Sequence, residues 1–124
     1  MNKLRPMDHD KSETFVLADK YALECYKLTR KLPKEELFGI TSQLRRAALS
    51  VPLNLVEGHA RGSTKHRINF SKISYGSLKE CQYLLYFIVE QELLEEQIVQ
   101  DVHGLGDKLA ALLWRKISSM ERSE

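Results

Sequence analysis

The chain has 124 residues, 43% of them apolar and 29% charged, with a formal net charge of +2. That suits one compact domain and excludes collagen-like, low-complexity and strongly polyanionic or polycationic classes. No apolar run reaches the roughly 20 residues that span a bilayer. The opening "MNKLRPMDHDK" lacks a secretory apolar core, so the expectation is a cytoplasmic protein that does not engage membranes.

Residues 1–12 are expected as a flexible N-terminal segment, 13–120 as a bundle of four helices, and 121–124 as a C-terminal tail. The first helix is predicted from Glu13 to Leu32, with Phe15, Ala18, Ala22, Cys25, Leu28 or Thr29, and Leu32 on one face. Pro33 ends it. "PKEELFG" reads as one loose turn closing at Gly39, with Thr41 or Ser42 as the next cap. The second helix is predicted over Ile40–Ala60, stopped by Gly58 and Gly62. Ser63 or Thr64 caps a third helix, Lys65–Gln91, with Phe70, Ile73, Ser77, Cys81, Leu84, Leu85 and Ile88 inward. The fourth, Glu95–Met120, places Ile98, Val102, Leu105, Leu109, Leu112 and Leu113 in a near-heptad rhythm. Long helices on short connections predict an all-α, up-down-up-down antiparallel four-helix bundle.

The second helix is unusual. At 100° per residue, Gln43, Arg46, Ser50, Asn54, Glu57 and Arg61 form a polar stripe. Leu44, Ala47, Ala48, Val51 and Leu55 lie on one side of it. Leu49, Leu53, Val56 and Ala60 lie on the other, and Arg45 and Pro52 fall at the back. Pro52 lacks an N–H and crowds the Ala48 carbonyl, which predicts a kink. One apolar face suffices to join a four-helix core, so the second predicts a subunit interface at Leu49, Leu53, Val56 and Ala60. Asn54, Glu57 and Glu80 are expected to form a structural polar network, with Asn54 on a neighbouring helix or on the carbonyl freed by Pro52. Glu57 and Arg61 stand in the favourable order for an ion pair, and Arg46 and Arg61 can pair with Glu57 or Glu80.

Charge is unevenly spread. Leu37 to Lys79 holds seven Lys/Arg and one acid, whereas Glu80 to Asp107 holds seven acids and no Lys/Arg. Arg45, Arg46, Arg61, Lys65, Arg67 and Lys72 are therefore the candidates for contacting nucleic acid. Lys3, Arg5, Lys11, Arg115, Lys116 and Arg122 add to the same pole in the expected topology.

Catalytic signatures are sparse. His9, His59, His66 and His103 show no His-x-x-x-His or Glu-x-x-His spacing, and Cys25 and Cys81 read as buried small hydrophobes. No metal or cofactor is expected, and no phosphate-binding loop or nucleophile elbow occurs. "RGSTKH" places Arg61 and His66 at the Arg-x4-His spacing of HEPN-like ribonucleases, where His acts as acid or base and Arg steadies a phosphate.

The motifs Lys27-Leu28-Thr29, Pro33 to Gly39, Ser42 to Ala47, Pro52-Leu53-Asn54, Glu57-Gly58 and Gly76 to Glu80 carry a resemblance. Over Phe15 to Leu113 the chain resembles bacterial four-helix-bundle proteins encoded in intervening sequences of 23S ribosomal RNA genes. It is more distantly similar to the accessory variability proteins of diversity-generating retroelements, thought to bind nucleic acid and a reverse transcriptase. The resemblance implies a ring, a homopentamer, and no settled biochemical activity. "GHAR" and "KHRINF" depart from the family pattern toward more basic character.

The resulting reading is a non-enzymatic, oligomeric binding or scaffold protein with a basic pole for structured RNA or a nucleoprotein. Two alternatives are a ribonuclease using Arg61 and His66, and a protein–protein adaptor docking through its acidic pole.

Overall fold

The computed structural model describes residues 12–123. The expectations for Lys3, Arg5, His9 and Lys11, and for the flexibility of the N-terminal segment, lie outside the described residues.

Ser12 opens the first helix, α1 (Glu13–Thr29), by accepting the Phe15 N–H on its Oγ at 3.1 Å. The helix stops at Thr29, short of the expected Leu32, and Pro33 bars its continuation. A 3-10 turn, Lys34–Glu36, and a π turn, Leu37–Thr41, follow. Gly39 breaks the helical geometry there, at φ −112° and ψ −114°. Thr41 is already helical and makes no side-chain cap. The chain thus enters the second helix from an existing turn, which removes the need for the predicted cap.

The second helix, α2 (Ser42–Arg61), passes through Pro52 as one element. Pro52 is buried, not at the exposed back. Arg45, seven residues earlier on the same face, touches α1, so this side of α2 packs against its neighbour. Gly62 ends α2 in the left-handed region at φ +81°, where a Cβ is costly. Ser63 then caps the third helix, α3 (Thr64–Glu90), accepting the His66 N–H at 3.2 Å. The fourth, α4 (Glu96–Ser123), continues through most of the expected tail.

Specific contacts fix the antiparallel order. Arg45 at the start of α2 meets Thr29 at the end of α1. Between α2 and α3, Ser50 meets Ser77, Val51 meets Ser74 and Gly58 meets Phe70. Between α3 and α4, Gln82 meets Asp107, Tyr75 meets Trp114 and Lys72 meets Glu121. In the α2–α3 and α3–α4 sets, numbers rise on one helix as they fall on the other.

The core is one cluster drawn from all four helices. Leu44, Ala47, Ala48, Val51 and Leu55 of α2 are inward as expected. The face of α3 is rotated from the prediction: Ile68, Ser71, Ser74 and Leu78 are buried, while Ile73 is exposed and Phe70 half-buried. Serines at the contact let α2 and α3 approach closely, and Ser74 Oγ donates to the Val51 carbonyl at 2.7 Å. On α4, Val102, Leu109 and Leu113 are buried as expected, but Val99, Gly106 and Ile117 complete the buried stripe, while Ile98, Leu105 and Leu112 are half-buried.

Gly106 is inward because Tyr21 lies against it. A Cβ at Gly106 would sit 3.0 Å from Tyr21 Cε1 and 3.3 Å from its hydroxyl. Tyr21 is fully buried, and its hydroxyl is unbonded among the described residues. Burial, then the nearby Cys25 and Cys81 thiols, raise its pKa. A hydrogen bond with Cys25 and burial raise that of Cys81.

Gly106→Ala should destabilise the bundle by about 1–3 kcal/mol in urea unfolding through overpacking. Gly104→Ala, where an added Cβ meets nothing within 4 Å, should stabilise it by about 0.5–1 kcal/mol. The raised pKa values of Tyr21 and Cys81 mean that the folded chain holds protons that the unfolded chain loses. Stability should be unaffected by these groups at neutral pH and fall above pH of about 9, where unfolded thiol and phenol ionise. Urea midpoints at pH 7 and pH 10 measure this.

Candidate functional site

The α2–α3 turn gathers basic side chains at one end of the bundle. Gly62 and Ser63 hold the chain in a tight reversal, and Arg61, Lys65 and Arg67 are all exposed around it. Arg61 Nε lies 3.2 Å from Glu57 Oε2, with both side chains about half exposed. Its guanidinium lies 5.2 Å from the Phe70 ring centroid. These contacts orient Arg61 without burying it. Lys72 is on the same end of α3, 2.8 Å from Glu121 of α4. The final turns of α4 bring Lys116 to the same pole.

Arg45 and Arg46 are not part of this pole. They stand at the start of α2, about 24 Å along the axis from Arg61 at 1.5 Å per residue. Arg45 is engaged inside the protein: its Nε donates to Thr29 Oγ1 at 2.8 Å and its guanidinium covers the Tyr26 ring at 5.1 Å. Thr29 in turn donates to the Tyr26 carbonyl at 2.6 Å. Arg46 is exposed and lines an open groove of about 510 Å³ with Phe38, Tyr83 and Phe87. Phe38, at the tip of the π turn, is 94% exposed. This end also carries Glu36, and the α3–α4 turn brings Glu90, Glu92, Glu95 and Glu96.

The second apolar side of α2 is open in the single chain. Leu49 is 47% exposed and Leu53 58% exposed, Ala60 is exposed and Val56 half-buried. Val16 and Leu23 of α1 are exposed to a similar degree. Arg45 on Tyr26 sets the level of the two helices. One turn on along α2 is Leu49, and one turn back along α1 is Leu23, so the two leucines lie at about the same height along the bundle.

The polar stripe is satisfied locally. Asn54 Nδ2 donates to the Ser50 carbonyl and Oγ, both at 2.8 Å, and the Ser50 hydroxyl shares a hydrogen bond with Ser77 at 2.8 Å. The partner of Asn54 is thus the Ser50 carbonyl, not the Ala48 carbonyl opposite Pro52. Glu80 is exposed on α3 and makes no side-chain hydrogen bond or ion pair among the described residues.

His66 is exposed, and its Nδ1 hydrogen-bonds the Ser63 hydroxyl at 2.6 Å. Arg61 is directed to Glu57 and Phe70 instead. Cys25 and Cys81 are free and buried, and no cluster of three or more metal-ligating side chains exists among the described residues. No described helix is long and apolar enough to cross a membrane.

A family model for the 23S rRNA-intervening sequence protein matches residues 10–115. The chain belongs to this family. A 1.70 Å crystal structure of a protein with unknown function from the S23 ribosomal protein family of Bacteroides thetaiotaomicron is similar in fold. It superposes with a TM-score of 0.78 at 19% identity, covering 84% of this chain and 97% of that one. No curated protein matches the chain. The family assignment agrees with the four helices, and at this identity the structural likeness speaks for the fold alone.

Sequence reasoning missed Tyr21, the inward Gly106 and the internal role of Arg45. Arg45 and the Tyr26 ring it covers belong to different helices, so nothing local in the sequence marks the contact. Arg45→Ala should lower stability by about 1–2 kcal/mol, since it removes a charged hydrogen bond and a cation–π contact. Arg61→Ala, half exposed, should change it by less than about 1 kcal/mol. Thermal or urea unfolding of the two variants separates the internal arginine from the exposed one.

Proposed function

We propose that the protein is a non-enzymatic, self-associating scaffold whose basic pole contacts structured RNA or a nucleoprotein. The observation that carries the reading is the open apolar side of α2. Leu49 and Leu53 are outward in the single chain although they sit in mid-helix. Covering each is worth on the order of 1 kcal/mol, too little alone to hold two copies together. Val16 and Leu23 extend the patch across α1, which brings it toward the size that marks an interface. Assembly into a closed ring of five copies is the form that the family resemblance supports.

Self-association would set several copies of the α2–α3 turn side by side. Weak phosphate contacts by Arg61, Lys65 and Arg67 then add through avidity. Net charge is only +2, so a single copy is a poor non-specific binder, and repetition supplies what the composition does not. The nucleic-acid candidates of this pole are Arg61, Lys65, Arg67 and Lys72, in a cytoplasmic setting.

Leu53→Asp should abolish self-association in size-exclusion chromatography while leaving helical content in circular dichroism nearly unchanged. RNA affinity should fall steeply with salt. Neutralising Arg61, Lys65 or Arg67 should each reduce the slope of log K against log[salt] by about 0.7–1. A salt-independent interaction with protein partners would favour the adaptor reading. Cleavage of bound RNA by the wild type, lost on His66→Ala, would favour the ribonuclease.

A further inference from the structure

Two helices carry an outward seam that repeats in steps of three and four residues. On α2 it is Leu49, Leu53, Val56 and Ala60, and on α3 it is Ile73, Gly76, Glu80, Tyr83 and Phe87. All of these are exposed except the half-buried Val56. Such steps keep one line of a helix against one partner helix, as in a coiled coil. The bundle already has its own lines of contact. Leu44, Ala48, Val51 and Leu55 serve α2, and Leu78, Cys81, Leu85 and Ile88 serve α3. Both outward seams are therefore surplus to the single chain.

The seams point in different directions. On α2, Ser50 faces α3 through Ser77, whereas Arg45 faces α1 through Tyr26. Leu49 is one turn on from Arg45, so its seam opens on the α1 side. On α3, Ser77 faces α2, and Tyr75 and Gln82 face α4 through Trp114 and Asp107. The Ile73–Phe87 seam lies between these two flanks, turned from the core. α1 and α3 each pack on α2 and α4, so they stand at diagonal corners. One flat contact between two copies cannot cover both seams.

The seams also differ in chemistry. The α2 seam is aliphatic, and Val16 and Leu23 of α1 widen it. The α3 seam ends in aromatic rings, with Tyr83 5.9 Å from Tyr86 and 6.4 Å from Phe87 between centroids. Gly76 leaves a gap in it, where an added Cβ would meet nothing within 4 Å. A leucine knob needs such a hole. Glu80 stands midway along this seam. Two α3 seams packed on a two-fold axis would set Glu80 against Glu80, which like charge disfavours. Two α2 seams would pair leucines and leave Tyr83 and Phe87 in water. An α2 seam on an α3 seam avoids both defects, and each copy then buries two surfaces, not one.

We propose that the α2 seam of one copy packs lengthwise on the α3 seam of the next. The inference rests on the self-association proposed above and names the surface that receives Leu49 and Leu53. Tyr83 and Phe87 supply large apolar area with few rotors to fix, as anchors of an interface do. Each copy offers one seam of each kind. The contact is head-to-tail, so it passes from copy to copy and ends only where a ring closes.

The test mixes two full-length variants, each damaged in one seam. Leu53→Asp keeps the α3 seam and Tyr83→Asp keeps the α2 seam. Circular dichroism checks that each retains wild-type helical content, and Ile73→Asp replaces Tyr83→Asp if that variant does not. In sedimentation velocity at micromolar concentration, each variant alone should run as a single chain of 14.4 kDa. Mixed in equal amounts, they should form a species of twice that mass and nothing larger. One intact contact joins the pair, and the two damaged seams stop it at both ends. A folded α3-seam variant that assembles like the wild type overturns the inference and leaves self-association through α2 standing. Two monomeric variants that form no pair on mixing overturn the head-to-tail contact in the same way. A monomeric wild type overturns the inference together with the self-association beneath it.

Discussion

The close contact between α2 and α3 is the constraint on which the rest of the structure depends. It is made by small residues. Gly58 lies against Phe70, Ser74 donates to the Val51 carbonyl, and Ser50 shares a hydrogen bond with Ser77. Hydroxyls at a helix–helix contact shorten the approach and supply directional bonds where leucines would only push the backbones apart. With α2 held so, its Leu44–Leu55 side turns into the core and its Leu49–Leu53 side turns out. The same approach brings the end of α2 and the start of α3 together, and so gathers the basic turn.

This arrangement explains why α2 tolerates polar groups in its most apolar stretch. Asn54 and Ser50 satisfy one another along the helix, and Ser50 continues the chain of hydrogen bonds to Ser77. None of the three needs a substrate to complete it. Glu57 and Arg61 form an exposed i, i+4 pair whose worth to stability is small. Pro52 is buried in the middle of α2, where its missing N–H costs one helical bond and its ring fills a core-side position. The polar groups of this segment are thus fitted to helix packing, and the surfaces left for partners lie on either side of them.

Much of the fold was legible because its signal is local. The 3.6-residue period placed the four helices, and the inner face of α2 followed residue by residue. The errors are those of tertiary context. The α3 face was placed on Phe70 and Ile73, whereas the serines Ser71 and Ser74 are the residues turned inward against α2. Gly106 gave no inward signal, since nothing local shows that Tyr21 of α1 lies over it. Arg45 and Arg46 read alike, yet one is committed to Thr29 and Tyr26 and the other is free at a groove. Charge asymmetry was legible as composition, but its division between the two ends of α2 was not.

The central claim is that α2 serves two interfaces, one within the chain and one between copies. Sedimentation velocity of the wild-type protein at micromolar concentration tests it most directly. The account predicts a species several times the 14.4 kDa of one chain, five times in a closed pentamer. A single species of 14.4 kDa under those conditions would contradict it, and would leave Leu49 and Leu53 as exposed leucines of a monomer.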